Sequence, residues 1–433
     1  MASLDSPNSP PNPSFAIRET AAHKFQRSIS TEEAPSFSHF HYSPPPRRST
    51  HSSIHTSPIF SSPPRRDSRS PADNPVTTTD PSAYTYRCLS SVLKRDGHIL
   101  SIAMSSNIIY SGSSTNIIRL WKLPEFSECG QLKTRARMVV ALQASHDRVY
   151  AAYADGKIRI WRRTWDGAFK HIRLATIPSS GCHVRSLIAR KHTMQIKHVE
   201  PITSLAINIS DDIIYSASLD KTVKVWGISD LKCIETIQAH LESVNAIVVA
   251  DDGILYTASD DASIRVWRRN FCSGEWPHSL TVTLPSKHSP VRTLTLTSDN
   301  GVLYGGCSDG YIHYWLKERF PVQLQYGGEL QGHTHAIMCM ANVSKYVISG
   351  SADSTSRVWA RDSDGQHTCL AVLVGHRGPI RCVTAFLGRL DDEDGCTICT
   401  GSLDGVLKLW RVTRTSKESG SLSQNASDYF DLN

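Results

Sequence analysis

Carboxylates, histidines, hydroxyls and cysteines are the side chains here that could do chemistry, and their spacing indicates what kind. Six times an aspartate stands six residues ahead of a tryptophan: Asp155–Trp161, Asp220–Trp226, Asp261–Trp267, Asp309–Trp315, Asp353–Trp359 and Asp404–Trp410. Thr115–Trp121 keeps the interval without the acid. A catalytic group is needed once, whereas a group that braces a structural unit is needed in every copy, so the recurrent acid reads as scaffolding. Cys396-Thr397-Ile398-Cys399 has the spacing of zinc and redox pairs. It leads into a strand, where residues three apart face opposite ways, and no second pair is near it in sequence. Cys182-His183 stands alone in a loop. Phosphate-cradling Gly loops and HExxH do not occur. No catalytic residue, metal ligand or cofactor is expected; the function to look for is binding.

The elements that position these residues follow from one unit read in full. A strand at Val244–Val249 and a turn at Asp251-Asp252-Gly253 precede a second strand, Ile254–Ser259. A tight turn, Asp260-Asp261-Ala262, leads to a third strand at Ser263–Trp267, and a fourth follows at about Ser279–Leu284. Short β-branched runs between Gly, Asp and Ser turns are antiparallel strands, four per unit. The repeat tryptophans lie 40, 65, 41, 48, 44 and 51 residues apart, apart from one outlier near the period of propeller blades. The expected fold is all-β, a seven-bladed β-propeller with a disordered N-terminal extension.

Composition sets the boundaries. Fourteen of the 22 prolines and 18 serines precede Tyr84, leaving too little apolar surface to offset ordering entropy. Residues 1–84 are read as a disordered Ser/Pro-rich leader, 85–413 as the propeller and 414–433 as a flexible tail. Before Tyr84 eight Lys/Arg face seven Asp/Glu, so six of the seven net positive charges fall in the remainder. That is short of the basic stripe of a dedicated nucleic-acid binder. Met1-Ala2-Ser3-Leu4-Asp5-Ser6-Pro7 has no apolar signal region, and no apolar run approaches the roughly 18 residues of a membrane span. Eleven cysteines at irregular spacing, all after the leader, fit a reducing cytosol or nucleus.

On these residues the chain resembles the WD40-repeat family from about Tyr86 to Val412. The resemblance implies a His–Ser/Thr–Asp–Trp tetrad in four units: His198, Ser216, Asp220 and Trp226; His240, Thr257, Asp261 and Trp267; His333, Ser349, Asp353 and Trp359; His376, Thr400, Asp404 and Trp410. In such a tetrad the acid orients the imidazole, the imidazole bonds the hydroxyl, and the hydroxyl meets the indole N–H. The first unit lacks the acid, the second has Ala151 in place of the hydroxyl and the fifth has Gly305, so these three are expected to be less rigid. Tyr86–Leu93 is expected to complete the outer edge of the last blade, as such a strand does in this family.

A narrower likeness is carried by Leu120-Trp121, Leu174-Ala175-Thr176-Ile177-Pro178, Val374-Gly375-His376-Arg377-Gly378-Pro379 and Ser402-Leu403-Asp404-Gly405, with the leader and the long second gap. These look like the plant JINGUBANG-type WD40 proteins, one of which regulates pollen germination. That implies a regulatory adaptor of cytosol and nucleus with protein partners, a transcription factor among them. In WD40 rings one rim gathers the histidine loops and aspartate turns. Here it would carry Met138, Val140, Pro201, Thr203, Ser243, Asn245, Arg292, Met338 and Arg381, with Leu219, Asp260 and Leu403, a contact set for an acidic or amphipathic peptide. The basic insert with Arg185, Arg190, Lys191 and Lys197 would project over the same rim, as a clamp on an acidic segment or a phosphate backbone, or as a solvated insertion. Ser6, Ser9, Ser43, Ser57, Ser62 and Ser70 each precede proline and suit kinases acting on the leader. Two rival readings are a substrate receptor of a cullin ubiquitin ligase and an RNA-associated assembly factor. Trp161-Arg162-Arg163-Thr164 lacks the Trp-Asp-x-Arg of the first.

Overall fold

The computed structural model describes residues 84–136, 138–165, 169–179, 196–270, 278–285, 289–318, 323–387 and 395–415. The leader serines, Cys182, His183, Arg185, Arg190, Lys191 and the tail past 415 lie outside the described residues. The β-branched runs form 28 strands, numbered here along the chain, and the described residues contain no helix. They make seven four-stranded antiparallel sheets. In the third blade β10 (Ile202–Asn208), β11 (Ile213–Ser218), β12 (Thr222–Gly227) and β13 (Cys233–Gln238) follow one another across the sheet. The fourth blade repeats this with β14 (Val244–Val249), β15 (Leu255–Ser259), β16 (Ser263–Arg269) and β17 (His278–Pro285).

The first strand of each blade is the inner one. β2 (Ile99–Ser105), β6 (Val139–Ala144), β10, β14, β18 (Val291–Leu296), β22 (Ile337–Val343) and β26 (Ile380–Phe386) pack each on the next, and β26 packs on β2. That cycle is a closed seven-bladed β-propeller. Close approach between blades needs a small residue one place after each tetrad hydroxyl position. Gly112, Ala152, Ala217, Ala258, Gly306, Gly350 and Gly401 occupy those places. A Cβ at Gly306 would lie 2.5 Å from Ile337 of the next blade, and one at Gly401 2.6 Å from Ile99.

The seventh blade is built from both ends of the ring. β1 (Tyr84–Leu93) pairs with β28 (Val406–Arg414), from Tyr84 opposite Arg414 to Leu93 opposite Val406. The closing strand starts two residues before the expected Tyr86, and Tyr84 is buried among sixth- and seventh-blade side chains. Pairing across the ends covers an edge that would otherwise be exposed.

The core lies between blades. Seven apolar clusters each span one joint and each hold the repeat tryptophan of the later blade. Trp267, for example, packs on Tyr215 and Val225 of the third blade. Truncating such a tryptophan to alanine costs roughly 3–5 kcal/mol. The recurrent tryptophan therefore ties neighbouring blades as well as its own strands.

Candidate functional site: the channel rim and its bracing

Each of the six repeat aspartates builds its own turn. Its Oδ1 accepts the N–H two residues on: Lys157, Thr222, Ser263, Tyr311, Thr355 and Val406, at 2.9–3.1 Å. The residue between is left-handed in every case, with φ of 68°, 70°, 58°, 91°, 67° and 79° at Gly156, Lys221, Ala262, Gly310, Ser354 and Gly405. An aspartate that folds back on the backbone stabilises such a turn. This explains why Asp155 and Asp309 persist in blades without a complete tetrad.

In four blades the second carboxylate oxygen does more. His198 Nδ1 lies 2.8 Å from Asp220, His198 Nε2 2.9 Å from Ser216 Oγ, and Trp226 Nε1 donates to the same oxygen at 2.9 Å. His240, Thr257, Asp261 and Trp267 repeat the chain at 2.9, 2.7 and 3.0 Å. So do His333, Ser349, Asp353 and Trp359 at 2.8, 2.8 and 3.0 Å. His376, Thr400, Asp404 and Trp410 do so at 3.1, 2.8 and 2.8 Å. One proton per link satisfies the whole series. The indole N–H donates to the hydroxyl, the hydroxyl to Nε2, and Nδ1–H to the carboxylate.

Electrostatics agree with neutral imidazole and ionised acid. Burial outweighs the pull of Asp261 and Asp404 and holds His240 and His376 below the ordinary histidine value. Burial alone would raise Asp220, but hydrogen bonds from His198, Thr222 and the Val199 N–H bring it down to about 2. Asp261, Asp353 and Asp404 are lowered in the same way. The hydroxyls of these sets are fully buried, which suits bracing and leaves no approach for a substrate.

Blades without the tetrad use other bracing. In the first, Trp121 Nε1 donates to Ser111 at 2.8 Å, while Arg119 pairs with Asp96 and Glu128. In the second, Arg159 pairs with Asp155 at 2.6 Å and lies 4.3 Å from the Tyr153 ring. The fifth has no room for a hydroxyl, since a Cβ at Gly305 would lie 3.1 Å from Ile264 and 3.3 Å from Trp315. There Tyr326 stands edge-on to Trp315 at 6.0 Å and its hydroxyl meets His313 Nδ1 at 3.0 Å. The residue two before each repeat tryptophan is Arg119, Arg159, Lys224, Arg265, His313, Arg357 or Lys408. This recurrence of basic side chains was legible in the sequence, because positions two apart share a strand face.

The rim residues are gathered by a second repeated feature. Every inner strand carries a β-bulge after its first residue, so the ladder steps over Leu100, Val140, Thr203, Asn245, Arg292, Met338 and Arg381. A bulge releases one residue from pairing and re-aims its side chain. Six of these seven are rim candidates; Leu100 completes the circle. The turn residues join them through backbone bonds, Leu219 N–H to Pro201, Asp260 N–H to Ser243 and Leu403 N–H to Pro379, at 3.2, 3.1 and 2.9 Å. Met138 enters the second blade beside this circle with a φ of 58°.

Chemistry varies around the circle. Asn245 donates to Asp260 and to the Val291 carbonyl, and Arg292 pairs with Asp260 at 2.9 Å. Thr203 donates to the Val244 carbonyl at 2.6 Å. Arg381 is half-buried and has no hydrogen bond or ion pair among the described residues, with Met338 and Leu100 in the flanking blades. Val140 is buried and offers little surface. Lys197 runs beside the second-blade turn at Gly156. Cys396 and Cys399 are buried free thiols pushed up by burial, Cys396 to about 12. Among the described residues no cluster of three His, Cys, Asp or Glu could hold a metal ion. No described helix is long and apolar enough to cross a membrane.

The family model for the WD domain, G-beta repeat, matches residues 190–227, 231–268, 325–360 and 367–411. Those are the four blades with complete tetrads. The chain is 25% identical over 349 residues to telomerase protein component 1 of Rattus norvegicus, covering 76% of this chain and 11% of that protein. It is 23% identical over 311 residues to the nuclear distribution protein PAC1 of Arthroderma otae, covering 71% and 57%. An F-box/WD-40 repeat-containing protein of Arabidopsis thaliana is 26% identical over 134 residues, 31% of this chain and 23% of that one. The chain thus spans less than two thirds of each of these relatives. The four matched segments are WD40 repeats and lie in a propeller, a fold that generally serves as a non-catalytic interaction scaffold.

Proposed function

We propose that this chain is a non-catalytic adaptor that holds a regulatory protein by an acidic, amphipathic segment laid across the channel rim. One observation carries this reading. Seven inner-strand bulges turn one side chain per blade to a common circle, where Arg381 is without a partner among the described residues and sits between blades bearing Met338 and Leu100. A free guanidinium beside apolar neighbours suits a carboxylate next to an apolar anchor. The likeness to JINGUBANG-type proteins extends the reading to a plant regulatory role in cytosol and nucleus, with a transcription factor as partner and kinases acting on the leader. Proximity labelling with the intact chain tests the rim. Arg381→Glu with Met338→Asp should lose a defined set of partners while the melting temperature holds. The same set captured by both proteins would remove the rim from consideration.

Similarity to an F-box/WD-40 protein favours a second reading, a substrate receptor of a ubiquitin ligase. Against it stands Trp161-Arg162-Arg163-Thr164, which offers no adaptor motif. Co-purification of a cullin with the tagged chain would favour the receptor over the adaptor.

A further inference from the structure

Three joints of the ring carry an identical latch. Tyr110 Oη meets His171 Nε2 at 3.0 Å, Tyr215 Oη meets His278 Nε2 at 3.1 Å, and Tyr304 Oη meets His367 Nε2 at 2.8 Å. Each tyrosine sits just before its blade's hydroxyl position, and each histidine is on the outer strand of the following blade. The registers agree. Each histidine faces the residue two past the repeat tryptophan: Arg163 opposite His171, Arg269 opposite His278, and Arg361 opposite His367.

The fourth-to-fifth joint breaks this rule. Tyr256 occupies the tyrosine position, but Lys317 faces Leu324 where a histidine would stand. Leu324 packs on the cluster that contains Tyr256 and cannot bond its hydroxyl. Tyr150, which also lacks a histidine, is served by Arg148 and Ser145. Tyr256 is 1% exposed, and its hydroxyl makes no hydrogen bond among the described residues. Tyr256 instead lines a half-open cavity of about 490 Å³ with apolar Ile254, Val266, Val282 and Leu324 and polar Thr281, Gln323 and Arg268. Cavities of about 300–1,000 Å³ with apolar walls and few polar groups suit small ligands. Arg268 is exposed, and its guanidinium has no ion pair among the described residues. Asp252, which also acts on Tyr256, is paired with Lys317.

We propose that this cavity binds a small apolar anion, a ring or short chain bearing one carboxylate or sulfonate. Its body packs against Ile254, Val266, Val282 and Leu324. A polar atom accepts the Tyr256 hydroxyl, as imidazole does at three other joints, and its charge meets Arg268. Occupancy thereby supplies the latch this joint lacks.

Fluorescence titration of the intact chain tests it, with anilinonaphthalene sulfonate and its uncharged counterpart N-phenylnaphthylamine as probes. Saturable binding of about one sulfonate per chain is expected. Arg268→Glu should weaken the sulfonate about tenfold or more and leave the amine within about twofold. Leu324→His, which installs the side chain used at the latched joints, should suppress both probes and raise the melting temperature. Val282→Trp, on an exposed strand edge, blocks the cavity without depending on the latch and should also suppress both. Sulfonate binding that survives both cavity variants, or that is indifferent to Arg268→Glu, would overturn the assignment.

Discussion

Replacing Thr257 by valine keeps the shape of the side chain and removes one oxygen that two buried groups share. Trp267 Nε1 donates to it at 3.0 Å, and His240 Nε2 lies 2.7 Å away. Thr257 is fully buried, so water cannot replace it. Stranding a buried donor or acceptor costs about 1–3 kcal/mol, so two cost about 3–4 kcal/mol once some relaxation is allowed. The first blade supplies the control. Ser111 serves Trp121 without a tetrad histidine, and Ser111→Ala strands one group, for about 1–2 kcal/mol. Unfolding entropy of about 2.1 cal/mol/K per residue gives about 0.7 kcal/mol/K for the ring, so the losses correspond to about 4–6 °C and about 1–3 °C. Calorimetry measures the totals, and hydrogen exchange by mass spectrometry shows whether the fourth or first blade opens. Adding His240→Phe to Thr257→Val should cost less than the sum of the two singles, because one stranded acceptor is gone. If the two single hydroxyl deletions cost the same, the shared-oxygen account is wrong.

Other outcomes follow from the same geometry. Deleting residues 84–93 exposes the outer edge of the seventh blade and should lower the melting temperature by well over the effect of any single tetrad change; scanning calorimetry reads it. Burial, reinforced by nearby Arg163 and Arg361, pushes His171 and His367 down to about 4, so both stay neutral in the fold while the unfolded chain takes up protons below about 6.5. Stability should therefore be complete above about pH 6.5 and fall as pH drops towards about 4, and His171→Asn with His367→Asn should make that fall shallower in urea titrations, the remainder coming from His240 and His376. The Asp220 carboxylate, lowered to about 2, contributes stability that is present above its usual value and lost at still lower pH, so this second loss should remain in the histidine variant. Arg119→Met leaves Asp96 buried and unpaired and should cost about 3–5 kcal/mol; adding Asp96→Asn should recover a large part of it.

What could be read from the linear chain was whatever recurs within a single unit. The interval from Asp261 to Trp267 holds a turn, a left-handed residue at Ala262 and a strand that buries the indole, all set by local geometry. It therefore survives as a fixed spacing. The fourth strand of that unit was placed at about Ser279–Leu284 and runs His278–Pro285. The inner-strand bulges left no such trace, because a bulge is a property of how two strands register. Leu100, Thr203 and Arg381 share neither size nor polarity, so nothing in residue type marks them as one circle. Without the bulge nothing marks Leu100 as a rim residue, and nothing marks Val140 as buried. Bonds between blades were hidden differently. Tyr110 and His171 are 61 residues apart, and the other two latches span 63 each. Each interval exceeds one unit, so a search by unit cannot register it, although a search across pairs of units could.

The blades that lack a tetrad are braced by other contacts. The second blade lacks the histidine and the hydroxyl, yet Asp155 still makes its turn and holds Arg159, which lies against Tyr153. The fifth lacks the hydroxyl because Ile264 and Trp315 fill its place, and an aromatic cluster surrounds the indole instead. Rigidity is decided by whether each buried polar group has some partner and each joint is filled, whichever residues do it. By that criterion one weak place is the joint between the fourth and fifth blades, where Tyr256 lacks the histidine latch and a cavity remains. The expectation that the first, second and fifth units are the less rigid ones makes a different claim. Amide exchange separates them: a physical account based on joints requires early opening on both sides of the cavity, at β15 and β16 as well as in the fifth blade, with the first and second blades holding. Early opening of the first, second and fifth blades together, with the fourth protected, would instead return the tetrads to the leading role.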